Sequence, residues 1–272
     1  MHQRVLGIDL GQARGRVIAT RSFRLRAALA VAVAALAAVA EGGASMAASG
    51  EVRDDQRRRM VVDVRAGLER LVAEGLIAAV DERVLAALAD VPRHHFVPDE
   101  QSASAYRNRP LPIGEGQTIS QPFIVALMTQ LLRLTPQSRV LEVGTGSGYQ
   151  AAVLARLAGH VYSIEIVAPL AERAAAALAG LGVRNVTTRT GDGYRGWPEA
   201  APFDAVIVTA APDHVPPALV EQLKPGGRMV IPVGTLDQEL VVIDKAPDGT
   251  VRHSTIVPVR FVPLTRDGGE PR

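Results

Sequence analysis

Cysteine is absent from the 272 residues, which excludes disulfides, thiolate nucleophiles and cysteine-ligated metal, and leaves the redox compartment undecided. Histidine is sparse. The six His are scattered and the only close pair, His94 and His95, is adjacent, so its side chains diverge on helix or strand and no metal site is expected. Aromatic residues make up 4% of the chain, too few for the basic, stacking surface that binds single-stranded nucleic acid. Positive charge is scarce outside one segment. Residues 1–60 hold ten Arg against five acidic residues, a local excess of +5, so a chain of net charge +2 leaves −3 on the remaining 212 residues. A nucleic-acid partner is therefore not expected. Long apolar runs are missing except for the alanine-rich stretch Ala27 to Ala40, preceded by Arg21, Arg24 and Arg26 and ending in Ala38-Val39-Ala40. Residues 21–40 have the pattern of an export signal, and the apolar stretch Ala27 to Ala40 within them falls short of the roughly 20 residues of a membrane span. No stable membrane insertion is expected.

What the chain does have is LTPQSRVLEVGTGSGYQ, Leu134 to Gln150, in which an apolar strand runs into a glycine-dense turn. Arg139 to Val143 reads as a buried strand, Gly144, Gly146 and Gly148 allow a sharp turn against a ligand, and Tyr149 to Ala158 reads as the next helix. The spacing is GxGxG rather than the GxGxxG of a dinucleotide site. Phosphate at a helix N-terminus favours positive potential, yet Glu142 precedes the turn and no Lys or Arg occurs from Glu142 to Ala155. An adenosine compound with a cationic amino-acid end, such as S-adenosylmethionine, suits this acidic loop. Glu165 ends the next strand, His160 to Ile166, where a carboxylate can accept from two ribose hydroxyls. Asp192, inside GDG after the strand Val186 to Thr190, stands where a carboxylate and an amide can read an adenine edge.

Three further segments, LPIGEGQTISQPFIVALM (Leu111 to Met128), GDGYRGWPEAAPFDAVIVTAAP (Gly191 to Pro212) and VRFVPL (Val259 to Leu264), resemble the protein-L-isoaspartate O-methyltransferase family across roughly Val52 to Thr265. The resemblance implies a class I methyltransferase fold, α/β, with a Rossmann-like doubly wound, mostly parallel sheet and flanking helices. It implies methyl transfer from S-adenosyl-L-methionine to the free α-carboxylate of L-isoaspartyl residues in damaged proteins and peptides, the first step of their repair. Carried over by motif, Ser120 matches the active-site serine. Glu142, Gly144, Thr145, Gly146, Ser147 and Gly148 match the methionine-side loop, Glu165 the ribose carboxylate, and Asp192 with Gly193 the adenine contacts. Thr118, Ile119 and Gln121 shape the loop around the acceptor, and Val259 with Arg260 binds the peptide main chain. Tyr149 and Trp197 are read as packing residues.

The expected organisation is an N-terminal extension 1–50, a catalytic domain 52–265 and a tail 266–272. Two helices open the domain, one with Met60, Val64, Leu68, Leu71 and Val72 at helical spacing, the other capped by Asp81 and stopped by Pro92. Strands and helices then alternate, as in a parallel sheet with crossover helices. Pro216 to Leu223 is read as a helix ended by KPGG (Lys224 to Gly227), and Ser254 to Pro263 as the last strand. A carboxylate of reference pKa near about 3.5 is already ionised at neutral pH, so no general base is needed, and no catalytic dyad is present. Two other readings stand: a methyltransferase of a different acceptor, and a noncatalytic binding module on the same fold. A monomer in the cytoplasm is expected, since Met46 offers an alternative start beyond the signal-like segment; export is the alternative.

Overall fold

Short strands of alternating outward and inward apolar residues build a sheet that is covered on both faces. The computed structural model describes residues 51–266, so the signal-like segment 21–40, the rest of 1–50 and residues 267–272 lie outside the described residues. The chain divides between Asp55 and Gln56, and the fold is that of the unit beginning at Gln56.

Helix α1 (51–73) presents Met60, Val64, Leu68 and Leu71, all buried, at the spacing of one helical face. Helix α2 (Glu82–Asp90) starts where the Asp81 carboxylate accepts from the Arg83 N–H at 3.0 Å, as expected of an N-cap. A small antiparallel pair, β1 (Leu111–Gly114) and β2 (Gln117–Ile119), leads to α3 (Pro122–Leu131). Then follow β3 (Arg139–Val143), α4 (Tyr149–Ala155), β4 (His160–Glu165), α5 (Ala168–Gly180), β5 (Val186–Thr190), β6 (Phe203–Val208), α6 (Pro217–Glu221), β7 (Leu223–Val233), β8 (Gln238–Lys245) and β9 (Val251–Val259). The large sheet has the order β5-β4-β3-β6-β7-β8-β9, with β5 to β7 parallel and β8 and β9 antiparallel. Along β3 and β6, Val140, Ala205 and Ile207 face one half of the core, and Leu141, Val143, Val206 and Val208 face the other.

Two elements differ from the sequence reading. KPGG does not end a helix. α6 stops at Glu221, and Lys224 to Gly227 bulge within β7, where pairing with β6 jumps from Phe203–Leu223 to Ala205–Arg228. The segment pairs with the neighbouring strand on both sides of the bulge, and Lys224 Nζ donates to Asp204 Oδ1 at 2.7 Å across the two strands. The last strand runs from Val251 to Val259, so Arg260 to Pro263 lie beyond its end.

PRHHFVP (Pro92 to Pro98) links α2 to the rest of the domain through a 3-10 turn, Arg93–Phe96, with an unusual centre. Arg93 is 0% exposed, donates from Nε to Ala105 O at 2.8 Å, and leaves both terminal nitrogens without a partner over the ring of Tyr149 at 4.8 Å. Burial lowers its pKa to about 10, so it stays charged at neutral pH. An orphaned buried cation contributes chiefly through the volume it fills and its ring contact. Arg93→Ala is expected to cost about 3 kcal/mol by leaving a cavity, and Arg93→Met, close in volume, less than about 1.5 kcal/mol. Urea unfolding checks this; equal losses for Met and Ala would show that the charge, not the volume, matters.

Candidate active site

The sheet reverses its direction of growth between β3 and β6, since β4 and β5 extend it one way and β7 the other. Strand ends diverge at such a point and leave a crevice. Gly144 occupies it with φ 97°, and a side chain there would meet Thr209 Oγ1 at 2.4 Å. That hydroxyl donates to Gly144 O at 2.5 Å and the Thr209 N–H to Val143 O at 2.9 Å, so the end of β6 fastens the turn.

The turn is gripped from the other side by Glu165. Its Oε2 accepts from the Gly146 N–H at 2.7 Å and its Oε1 from the Val167 N–H at 2.9 Å, tying the glycine loop to the start of α5. Each carboxylate oxygen keeps a lone pair for a further donor. Beneath the loop, Thr145 Oγ1 and Ser163 Oγ are 2.6 Å apart, and Ser163 donates to Glu142.

A cleft opens above this floor. Gly144, Thr145, Gly146, Ser147, Glu165 and Gly193 line it, as do Thr118, Ile119 and Ser120 from the β2–α3 turn. Among the described residues Glu165 is the single carboxylate lining it, and neither Lys nor Arg does so. This donor set suits a ligand with hydroxyls and a positive charge and disfavours a phosphate. A second cavity adjoins it, bounded by Gln121, Val259 and Arg260 among others. Thr118, Ser120, Thr209 and Val262 line both, and the Ser120 hydroxyl has no hydrogen-bond partner among the described residues.

Three sequence-predicted positions stand elsewhere. Glu142 is 0% exposed, pairs in register with Ser163 and Ile207 inside the sheet, and does not reach the cavity wall. Its side chain is engaged there by the Ser163 hydroxyl. Asp192 is also off the wall. Its Oδ1 accepts from the Tyr194 N–H at 2.9 Å, capping a short 3-10 turn, so only Gly193 of the pair faces the cavity. Gly148 is spent on packing, at φ 87° as N-cap of α4, where a side chain would meet Ala174 Cβ at 3.2 Å. Tyr149 and Trp197 pack as expected, edge-on to Phe96 and Tyr162. Thr209, Gln150 and the run Val262 to Thr265 line the first cavity and were not singled out from sequence. The position of Thr209 at the carboxyl end of a central strand is the signal that marks it.

The model of the protein-L-isoaspartate(D-aspartate) O-methyltransferase family matches residues 64–269. The chain belongs to this family. It is 63% identical over 183 residues to protein-L-isoaspartate O-methyltransferase 1 of Nitrosospira multiformis, covering 66% of this chain and 78% of that protein. It is 55% identical over 222 residues to the Cupriavidus necator protein of the same name, covering 81% and 86%. A solved Plasmodium falciparum structure assigned to the same enzyme, in complex with S-adenosyl-L-homocysteine, superposes with a TM-score of 0.61 at 26% identity, covering 74% of this chain and 98% of that one.

Family membership makes the acidic floor testable. Burial raises the Glu142 pKa to about 8, with the nearby Glu165 charge adding to the rise and the Ser163 bond opposing it. A pKa raised on folding gives stability that is complete below the unfolded value of about 4.5 and is lost as pH climbs through about 8. Wild-type stability should therefore fall between pH 5 and about 9, and Glu142→Gln, neutral throughout, should flatten that decline. Urea midpoints across the range check it, and parallel declines in both proteins would show that Glu142 is not the group responsible. Glu165→Ala should weaken S-adenosylmethionine binding by about 1.5–3 kcal/mol, from lost charge-assisted bonds and a loosened loop. Titration calorimetry reads this, and unchanged affinity would remove Glu165 from the site.

Proposed function

We propose that methyl transfer in this protein takes place at the seam of the two cavities, with Ser120 orienting the acceptor. The reaction is that of the family: a methyl group passes from S-adenosyl-L-methionine to the free α-carboxylate of an L-isoaspartyl residue, and the resulting ester starts the repair of the damaged chain. The observation that carries the assignment of Ser120 is its place on the walls of both cavities with an uncommitted hydroxyl.

The first cavity fits the cofactor, since its single carboxylate and absence of cations match a molecule with ribose hydroxyls and positive charge. Glu165 would hold the ribose, the turn Gly144 to Ser147 the methionine end, and Gly193 the adenine side. When bound, S-adenosylmethionine supplies an electrophilic methyl on its sulfonium. The chain's own task is positioning. Ser120 donates a hydrogen bond to one carboxylate oxygen and fixes the direction of the other, while Val262 and Thr209 bound the seam and limit water. None of the four seam residues is an acid or base, and none is required, because the acceptor arrives ionised. Thr118, Ile119, Gln121, Val259 and Arg260 surround the acceptor, largely through small or neutral groups, so discrimination falls on the backbone-like carboxylate rather than on neighbouring side chains.

The protein works as a monomer in the cytoplasm, without a nucleic-acid partner, and its catalytic domain spans 52–265. The balance of −3 outside residues 1–60 supports the second point. Among the described residues no helix is long and apolar enough to cross a membrane.

Paired peptides that differ only in an Asp or L-isoaspartyl linkage test the assignment through transfer of labelled methyl groups and their base-labile release. The isoaspartyl peptide should be preferred by about 100-fold or more, since a misplacement near about 1 Å costs that much. Ser120→Ala should lower kcat about tenfold or more while leaving cofactor affinity within about twofold. Equal labelling of the two peptides would discard the acceptor site, and wild-type turnover in the alanine variant would discard Ser120.

A further inference from the structure

The segment after β9 bounds both cavities. Val259 to Val262 line the acceptor side and Val262 to Thr265 the cofactor side. Because Arg260 to Thr265 lie beyond the last paired strand, individual bonds must set their position. The Ala211 N–H donates to Val262 O at 2.8 Å and the Leu264 N–H to Ala211 O at 2.8 Å, which moors the segment to the chain leaving β6. Tyr194 donates to Leu264 O at 3.4 Å, and the Arg266 guanidinium lies 3.8 Å from the centre of the Tyr194 ring.

Between these moorings and the sheet stands one nearly buried amide. Gln238 is 9% exposed and faces Val259 in the β8–β9 register. Its Oε1 accepts from the Phe261 N–H at 2.6 Å and its Nε2 donates to Phe261 O at 3.1 Å. A primary amide carries both a donor and an acceptor, so it can replace the strand pairing that Phe261 has lost. Phe261 lies between Arg260 on the acceptor wall and Val262 on both walls, while Gln238 itself lines neither cavity.

We propose that Gln238 is a positioning residue for methyl transfer, acting through the segment Arg260 to Thr265, and that this segment couples the two cavities so that cofactor occupancy sets acceptor affinity. The inference rests on the reading that the two cavities hold cofactor and acceptor. A ligand packed against Val262 to Leu264 restrains the same short piece of chain whose other end forms the acceptor wall. The second ligand then has less chain to order, and linkage makes the gain reciprocal.

Titration calorimetry on the full chain, with S-adenosyl-L-homocysteine and an L-isoaspartyl peptide, measures the coupling directly. In the wild type each ligand should tighten the other by the same factor, about fivefold or more. Q238M preserves length and apolar volume but removes both bonds to Phe261; the factor should fall below about twofold while thermal unfolding remains cooperative. Should Q238M fail to fold, Q238E, which still accepts from the Phe261 N–H but cannot donate to its carbonyl, provides the comparison and should also show reduced coupling. Equal peptide affinity with and without S-adenosyl-L-homocysteine in the wild type would overturn the coupling. Wild-type coupling in the folded variant would overturn the role of Gln238. Methylation of the same peptide by the wild type separates the two levels: no methylation removes the active-site reading, whereas methylation without coupling removes only the inference about the segment.

Discussion

Strand β3 is paired along both edges, to β4 on one side and β6 on the other, and the site follows from that constraint. A strand with no free edge can release its chain only at its end, where its neighbours part. Gly144 stands at that exit, and the groups fastening it come from both neighbours: Thr209 from the end of β6 and Glu165 from the end of β4. The pairing also puts the acidic residue of the strand out of reach of any ligand. Glu142 points into the layer between sheet and loop, where Ser163 and Thr145 connect it to the turn above.

The electrostatic character of the cavity comes from what is kept away as much as from what is present. Among the described residues one carboxylate lines it and no basic side chain does, while the buried Arg93 guanidinium lies over the ring of Tyr149, itself a lining residue. Such a lining matches a positively charged cofactor that becomes neutral once its methyl group has left. The acceptor side is organised differently, with a single charged residue, Arg260, at an exposed position.

Much of this was legible in the sequence because period and punctuation agreed. Among the parallel strands, Arg139 to Val143 and Val186 to Thr190 match the sequence reading to the residue. The Asp81 cap and the helical face from Met60 to Leu71 were equally direct. Where reading failed, a long-range interaction had overridden a local signal. KPGG has the composition of a helix stop, but backbone pairing with β6 on both sides of it, at Leu223 and Arg228, keeps the segment in the sheet. Glu142 and Asp192 both flank glycines, and the structure places the one in register inside the sheet and the other as acceptor from the Tyr194 N–H. The contribution of Val262 to Thr265 was least legible, since nothing local indicates that a segment leaving an edge strand will return across the crevice.

The acceptor cavity has a consequence for the kind of protein this enzyme can serve. It is a concave space between the β2–α3 turn and the segment after β9, and Ser120 stands on its wall as on that of the first cavity. A main-chain carboxylate can enter only if several flanking residues leave their own hydrogen bonds and extend into the cleft. A lesion inside a well-packed helix or strand would have to pay the local opening free energy of its host before being methylated. Repair is then graded by the mobility of the damaged region: lesions in loops and frayed ends are processed promptly, and those in rigid elements wait for the client to open.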